Sequence, residues 1–204
     1  MLGVSDYGAF VLAFILLLFL PGPGNLALVS STGLGGMRGG LASIAGLLLG
    51  DQVLMWLTVA GVAALLQSTP VVFHALQWLG AAYLTYMGWR MINPKGGSAS
   101  PIQVRPGRYF ADTLLITVLN PKSAMFYFAF FPQFIDPLHH QGLITFAFMA
   151  ATVVVLGFIY CFAVVLITHT MAQRLRAQPL LTLWLSRIAG LCLMGFGVRL
   201  LWGV

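Results

Sequence analysis

Asp51 and Lys122 stand where a charge is hardest to keep, and that makes them the first candidates for chemistry. Asp51 is the only acidic residue deep inside an apolar segment, and Lys122 has roughly ten apolar residues on either side. An ionised side chain at such depth costs at least a few kcal/mol, so it is either paired or protonated for part of a cycle. Asp51 therefore reads in two ways, as a proton carrier or as the permanent counter-charge of Lys122, and both stay open. For Lys122 the plain alternative is snorkelling to an interface, which its long apolar flanks make hard to reach.

Two further features interrupt the backbone itself. Pro21-Gly22-Pro23-Gly24-Asn25 breaks one apolar segment and Asn120-Pro121-Lys122 breaks another. In lipid every backbone N–H and C=O must find a partner, so non-helical backbone is tolerated only where it is packed away or lines a cavity. A helix restarting after the first break, with Asn25 as N-cap, presents N–H groups and the positive end of its dipole, which suits a carboxylate. Asn120 suits the N-cap and Pro121 the first position of a second half-helix. Lys122 then opposes that helix's dipole, as residues with a specific partner or task do. A simple proline kink is the competing reading, and two prolines and two glycines within four residues weigh against it. Paired breaks in two halves of a chain point to a transport site between inverted repeats.

Other reactive residues are scattered. His139 and His140 lie in a connection, His74 and His169 near segment ends, and Cys161 and Cys192 singly in separate apolar segments. There is no metal-ligand spacing, no C-x-x-C pair and no G-x-S-x-G nucleophile motif. No catalytic residue, metal or cofactor is expected.

The elements that must position these residues are membrane helices. Apolar residues make up 60% of the chain and charged residues 7%, with a mean hydropathy of +0.96, far from the roughly 25% charge of a soluble domain. Long apolar runs predict six segments at 8–33, 41–66, 71–91, 109–135, 142–169 and 180–202, the first and fourth broken. No Lys or Arg precedes the first run, so it is read as retained rather than as a cleaved signal peptide. Within the second, Ala42, Gly46 and Gly50 form a small-residue face beside Asp51 that lets another helix approach closely.

Basic residues set the orientation. Arg38 lies in the first connection, Arg90, Lys95, Arg105 and Arg108 in or beside the third, and Arg174 and Arg176 in the fifth, while the N-terminus and the even connections carry none. The positive-inside rule makes the odd connections cytoplasmic and both termini periplasmic. Topology thus accounts for the net charge of +6, and no basic, aromatic-interleaved motif suggests nucleic acid. The polar stretch 93–108 reads as a flexible cytoplasmic linker between a three-helix repeat at 1–92 and a second at 109–204. Three is odd, so the repeats run in opposite directions. Gly88-Trp89-Arg90 and Gly197-Val198-Arg199 close the two halves alike, with Gly80 and Gly190 upstream.

The Pro21–Asn25 run, Gly39-Gly40 through Gly50-Asp51, the stretch Leu79 to Gly88, Asn120-Pro121-Lys122 and Phe131-Pro132-Gln133-Phe134 together resemble the LysE/RhtB family of amino-acid exporters, its leucine exporters in particular. The resemblance covers the chain in order. It implies a bacterial inner-membrane protein that expels amino acids using the proton motive force, with its site carried by Pro21, Gly22, Pro23, Asp51, Asn120, Pro121 and Lys122. One departure is Gly24, where members often carry Asp or Asn directly after the Pro-Gly-Pro run. Either Asn25 substitutes for it one residue later or a ligand that the resemblance implies for the substrate amine is missing.

A zwitterionic amino acid needs a positive feature for its carboxylate and a negative or carbonyl-rich one for its ammonium. Half-helix N-termini and Lys122 supply the first, Asp51 or unwound carbonyls the second. One deep carboxylate favours a neutral aliphatic substrate such as leucine over a dibasic one. A metal-ion exporter of related architecture and a membrane-embedded enzyme are the alternatives; the first lacks soft ligands at depth, and the second would have to use Asp51 and Lys122 as an acid–base pair. The expected partners are the amino acid, protons and lipid, and a homo-oligomer stays open.

Overall fold

Asp6 starts the first helix: its carboxylate accepts the Ala9 N–H at 2.9 Å, as an N-cap does. Helix α1 (Tyr7–Phe19) has 13 residues, about 20 Å of rise, and is too short to cross a bilayer core about 30 Å thick. The computed structural model describes residues 3–19, 22–66, 103–135 and 142–175, with isolated helical positions between 78 and 92 and between 187 and 195. The expected third and sixth segments lie almost wholly outside these residues, as do His74, His139, His140 and Cys192.

Helix α2 (Pro23–Leu66) resumes directly after the first break, with Pro23 at its first position and the Gly22 carbonyl accepting from Leu26 N–H at 3.0 Å. It is bent back on itself at Gly36, whose φ of 58° and ψ of −149° lie outside the helical region. A Cβ added at Gly39 would meet the Ser31 carbonyl, and one at Gly40 would lie 2.8 Å from Thr32 Oγ1. The limbs 23–35 and 37–66 are therefore a tight hairpin. The expected connection around Arg38 is helical instead, because glycines at 39 and 40 let the returning limb start at once.

The second broken segment begins as helix α3 (Tyr109–Val118) and restarts as helix α4 (Pro121–Met125). It then loosens to a π turn (Phe126–Phe130) and tightens to a 3-10 turn (Phe131–Phe134). The expected half-helix after Asn120 is thus α-helical for five residues only. Phe126, Tyr127, Phe131 and Phe134 are all buried here, sharing a core with Phe10 and Phe14 of α1. The Phe10 ring lies 5.4 Å from that of Phe134 and meets Phe131 edge-on at 6.1 Å. Packing Phe126 on Phe14, and Phe131 and Phe134 on Phe10, demands a winding that a regular 3.6-residue turn does not supply. Helix α5 (Leu143–Leu175) then runs unbroken for 33 residues. Among the described residues there is no strand, only a bridge between Val4 and Ile135, and two helical stretches are long and apolar enough to cross a membrane, Leu143–Thr170 and, counted through its bend at Gly36, Pro23–Gly61.

Contacts fix the directions of these elements. Val4 pairs with Ile135, and Tyr7 packs on Phe148 and Thr152, at one end of the molecule. Gly35 meets the Tyr109 ring and Gly36 lies beside His169 at the other. The first broken segment and the second therefore run oppositely, and so do the second limb of α2 and α5. Arg38, Arg105 and Arg108 all belong to the Gly36 end.

Candidate substrate site

The first break is closed by a side chain. The N-cap role expected of Asn25 does not hold, since the helix already begins at Pro23. Its Nδ2 instead donates to the Leu18 carbonyl at 3.0 Å and to Tyr160 Oη at 3.2 Å. Leu18 lies in the last turn of α1, where carbonyls lack an intrahelical partner. Asn25 thus caps the end of the half-helix before the break and ties it to α5. Pro21 lies outside the described residues.

The second break has the geometry the sequence implies. Asn120 is extended (φ −77°, ψ 111°) and its side chain accepts the Lys122 N–H at 3.1 Å, with Pro121 in the first turn. Its Nδ2 also donates to Ser123 Oγ at 3.2 Å. That fixes the first turn of α4 and, with it, the Lys122 stem.

Both breaks open on one cavity of about 40 Å³. Phe14, Leu17 and Leu18 of α1 and Leu47 of α2 make an apolar wall; Gly24, Asn25 and Asp51 of α2 face Thr117, Asn120, Lys122 and Ser123 of the second broken segment; Cys161 of α5 completes it. Asp51 is 6% exposed and buried, and Lys122 attracts it. The Tyr127 hydroxyl is the other polar group acting on Asp51. Its oxygen is one of three buried side-chain atoms that meet no hydrogen-bond partner in good geometry among the described residues. A cavity of this size admits a few waters and no amino acid. Among the described residues no three His, Cys, Asp or Glu group together as metal ligands.

Asp51 is held by the contact between α2 and α3. The small-residue face comprises Gly39, Ser43, Gly46 and Gly50, with Ser43 in place of the expected Ala42: Ser43 Oγ meets Thr113 Oγ1 at 2.8 Å, Gly46 lies against the Phe110 carbonyl and Gly50 against Thr117. The two helices run parallel here, so α2 carries Asp51 past the C-terminal turn of α3. The other end of α3 is clamped by Asp112, fully buried in its first turn, which accepts from Arg105 Nη2 at 2.7 Å, Nε at 3.2 Å and the backbone N–H at 2.9 Å. These bonds push the Arg105 guanidinium above its already high range. Pro106 and Gly107 (φ 78°) form the turn that returns the chain, closed by Arg108 N–H to the Arg105 carbonyl at 3.1 Å. The end of the expected flexible linker is therefore structured, because a buried carboxylate requires its partner in place.

Sequence reasoning missed several wall and support residues. Cys161 is isolated in the sequence, yet it reaches the cavity from α5. Thr117 and Ser123 flank Asn120 by three residues on either side, a helical spacing that would have found them. Tyr160 and Tyr127 had no signal, since an aromatic in an apolar run looks like core.

Comparison with known proteins gives this arrangement a context. The LysE type translocator family matches residues 15–203. A leucine efflux protein of Salmonella typhimurium is 32% identical over 202 residues, covering 97% of this chain and 95% of its own length, and its counterpart in Salmonella choleraesuis matches equally. An uncharacterized membrane protein of Pseudomonas aeruginosa is 33% identical over 98% of this chain and 96% of its own. No solved structure matches the chain. The family match spans nearly the whole sequence, and two of the relatives are named for efflux: this chain is a membrane transporter of the LysE type translocator family.

Proposed function

We propose that the protein exports neutral aliphatic amino acids such as leucine from the bacterial cytoplasm, driven by the proton motive force. The observation that carries this reading is the meeting of both proline breaks, Asp51 and Lys122 in one cavity with an apolar wall of Phe14, Leu17, Leu18 and Leu47. In this reading the substrate carboxylate lies toward Lys122 and the first turn after Asn120-Pro121, where cation and helix dipole act together. Gly24 and Asn25, beside Pro21, Gly22 and Pro23, line the opposite break, and the aliphatic side chain rests on the α1 wall. Asp51 takes up the proton whose return drives efflux. A permanent pair with Lys122 is the rival assignment.

The architecture we propose is six spanning helices in two inverted repeats, 1–92 and 109–204, with both termini periplasmic. Opposite running of the described elements and the collection of Arg38, Arg105 and Arg108 at the Gly36 end support it. The small cavity implies that substrate enters only as α1 and the second broken segment part. The names of the Salmonella relatives support leucine as the first substrate to try. Purified protein in proteoliposomes should accumulate radiolabelled leucine by counterflow and expel it faster when a pH gradient is imposed. Counterflow with leucine, isoleucine and valine all at the level of empty vesicles would overturn this reading.

A further inference from the structure

We propose that the Thr117 hydroxyl is a ligand for the ammonium group of the transported amino acid, an assignment that rests on the transport reading above. Thr117 lies in the last turn of α3, on the cavity wall, and is 2% exposed. Its Oγ1 has no hydrogen-bond partner among the described residues. A buried hydroxyl is ordinarily satisfied, and on a helix the nearest acceptor is the carbonyl four residues back. Other threonines in this chain use it: Thr32 donates to Leu28, Thr58 to Leu54, Thr152 to Phe148 and Thr170 to Leu166, at 2.7 to 2.9 Å. Thr117 does not, although its own helix offers the same carbonyl.

Packing accounts for the difference. Cβ and Cγ2 of Thr117 are turned to Gly50, where an added Cβ would lie 2.7 and 2.8 Å from them. With the methyl lodged there, the remaining χ1 position of the hydroxyl is not the back-bonding one. Gly50 immediately precedes Asp51, and Thr117, Asp51 and Asn120 line the same cavity. An ammonium group only donates, a hydroxyl oxygen accepts, and the neighbouring acid and the C-terminal end of α3 both favour positive charge. Lys122 and the N–H groups of α4 already favour the carboxylate on the other side. Thr117 is thus set to orient the two charged ends of a zwitterion along the cavity.

The test is leucine transport by reconstituted Thr117→Val, with 3-methylbutylamine and 4-methylpentanoate as inhibitors that lack the carboxylate and the ammonium respectively. A lost hydrogen bond to a charged group should raise the leucine KM about tenfold. Inhibition by the amine should weaken in proportion, inhibition by the carboxylate should hold, and the thermal midpoint should stay or rise as an unsatisfied hydroxyl is removed. Thr117→Ser, which keeps the oxygen, should return KM close to wild type. An unchanged KM in Thr117→Val, equal weakening of both inhibitors, or a lowered thermal midpoint would each overturn the assignment. Wild-type protein that neither moves nor binds leucine, isoleucine or valine overturns the transport reading and this one with it, whereas active wild type beside an unaffected variant overturns this one alone.

Discussion

Gly50→Ala adds one methyl group where α2 and α3 touch, and its effect can be worked from the contact. The new Cβ would lie 2.7 Å from Thr117 Cβ, 2.8 Å from its Cγ2 and 3.4 Å from the Leu114 carbonyl oxygen. Carbon atoms rest about 3.5–4.0 Å apart, so the helices must separate by roughly 1 Å. Thr117 is β-branched and stiff at χ1, and its backbone is fixed within α3, so the strain is not relieved by one side chain swinging away. Overpacking of this kind destabilises by about 1–3 kcal/mol, at roughly 2–4 °C of thermal midpoint per kcal/mol for a chain of this size. The separation also draws Asp51 away from the second break, so leucine efflux should fall by more than the loss of folded protein explains. The assay is thermal unfolding of purified protein beside efflux normalised to folded protein. Gly61→Ala is the control: nothing among the described residues lies within 4 Å of an added Cβ there, and alanine is the better helix former by about 1 kcal/mol. Equal midpoints and equal efflux for Gly50→Ala and Gly61→Ala would refute the close-packed contact as the support of Asp51.

Other perturbations probe the remaining parts. Replacing Pro21 and Pro23 by alanine should favour a continuous helix, since each proline costs about 3 kcal/mol in a helix interior; the protein should insert and efflux should fail, and unchanged efflux would reduce the break to a kink. Asp51→Asn should insert normally and lose efflux driven by a pH gradient while keeping exchange, because the amide retains shape but does not titrate. If Asp51 only neutralises Lys122, Asp51→Asn with Lys122→Met should restore both yield and gradient-driven efflux, and that recovery would end the proton-carrier assignment. Arg105→Ala leaves Asp112 buried without its guanidinium and should lower the thermal midpoint at neutral pH, less so in the double variant with Asp112→Asn; an Arg105→Ala midpoint equal to wild type would show the clamp to be idle. Alkaline phosphatase fused after Val204 should be active and green fluorescent protein there dark; a fluorescent fusion reverses the orientation.

Features that depend on local rules were readable in advance. Asn120-Pro121 announces a helix start because an amide and a ring have only a few helical positions where both fit, and Gly46 and Gly50 announce a close neighbour because a missing side chain needs one to fill the space. Partners distant along the chain were not readable. Asn25 looks like a cap for the helix it begins, and only the folded chain brings the Leu18 carbonyl and Tyr160 hydroxyl to it. Asp112 sits at a segment edge where solvent would excuse its charge, and its full burial follows from Arg105 folding over it. The π turn at Phe126–Phe130 had no signature either, since its aromatic run suits a regular helix until α1 packs against it.

A helical pair joined at the single residue Gly36 also bears on biogenesis. Ordinary connections give the insertion machinery a loop to hold while one helix settles before the next arrives. Here the returning limb packs on the Ser31 carbonyl and Thr32 hydroxyl from its first turn, so these atoms are covered only once both limbs are present. The two limbs are thus suited to enter the bilayer as one preformed wedge, with Arg38 next to the bend at its tip.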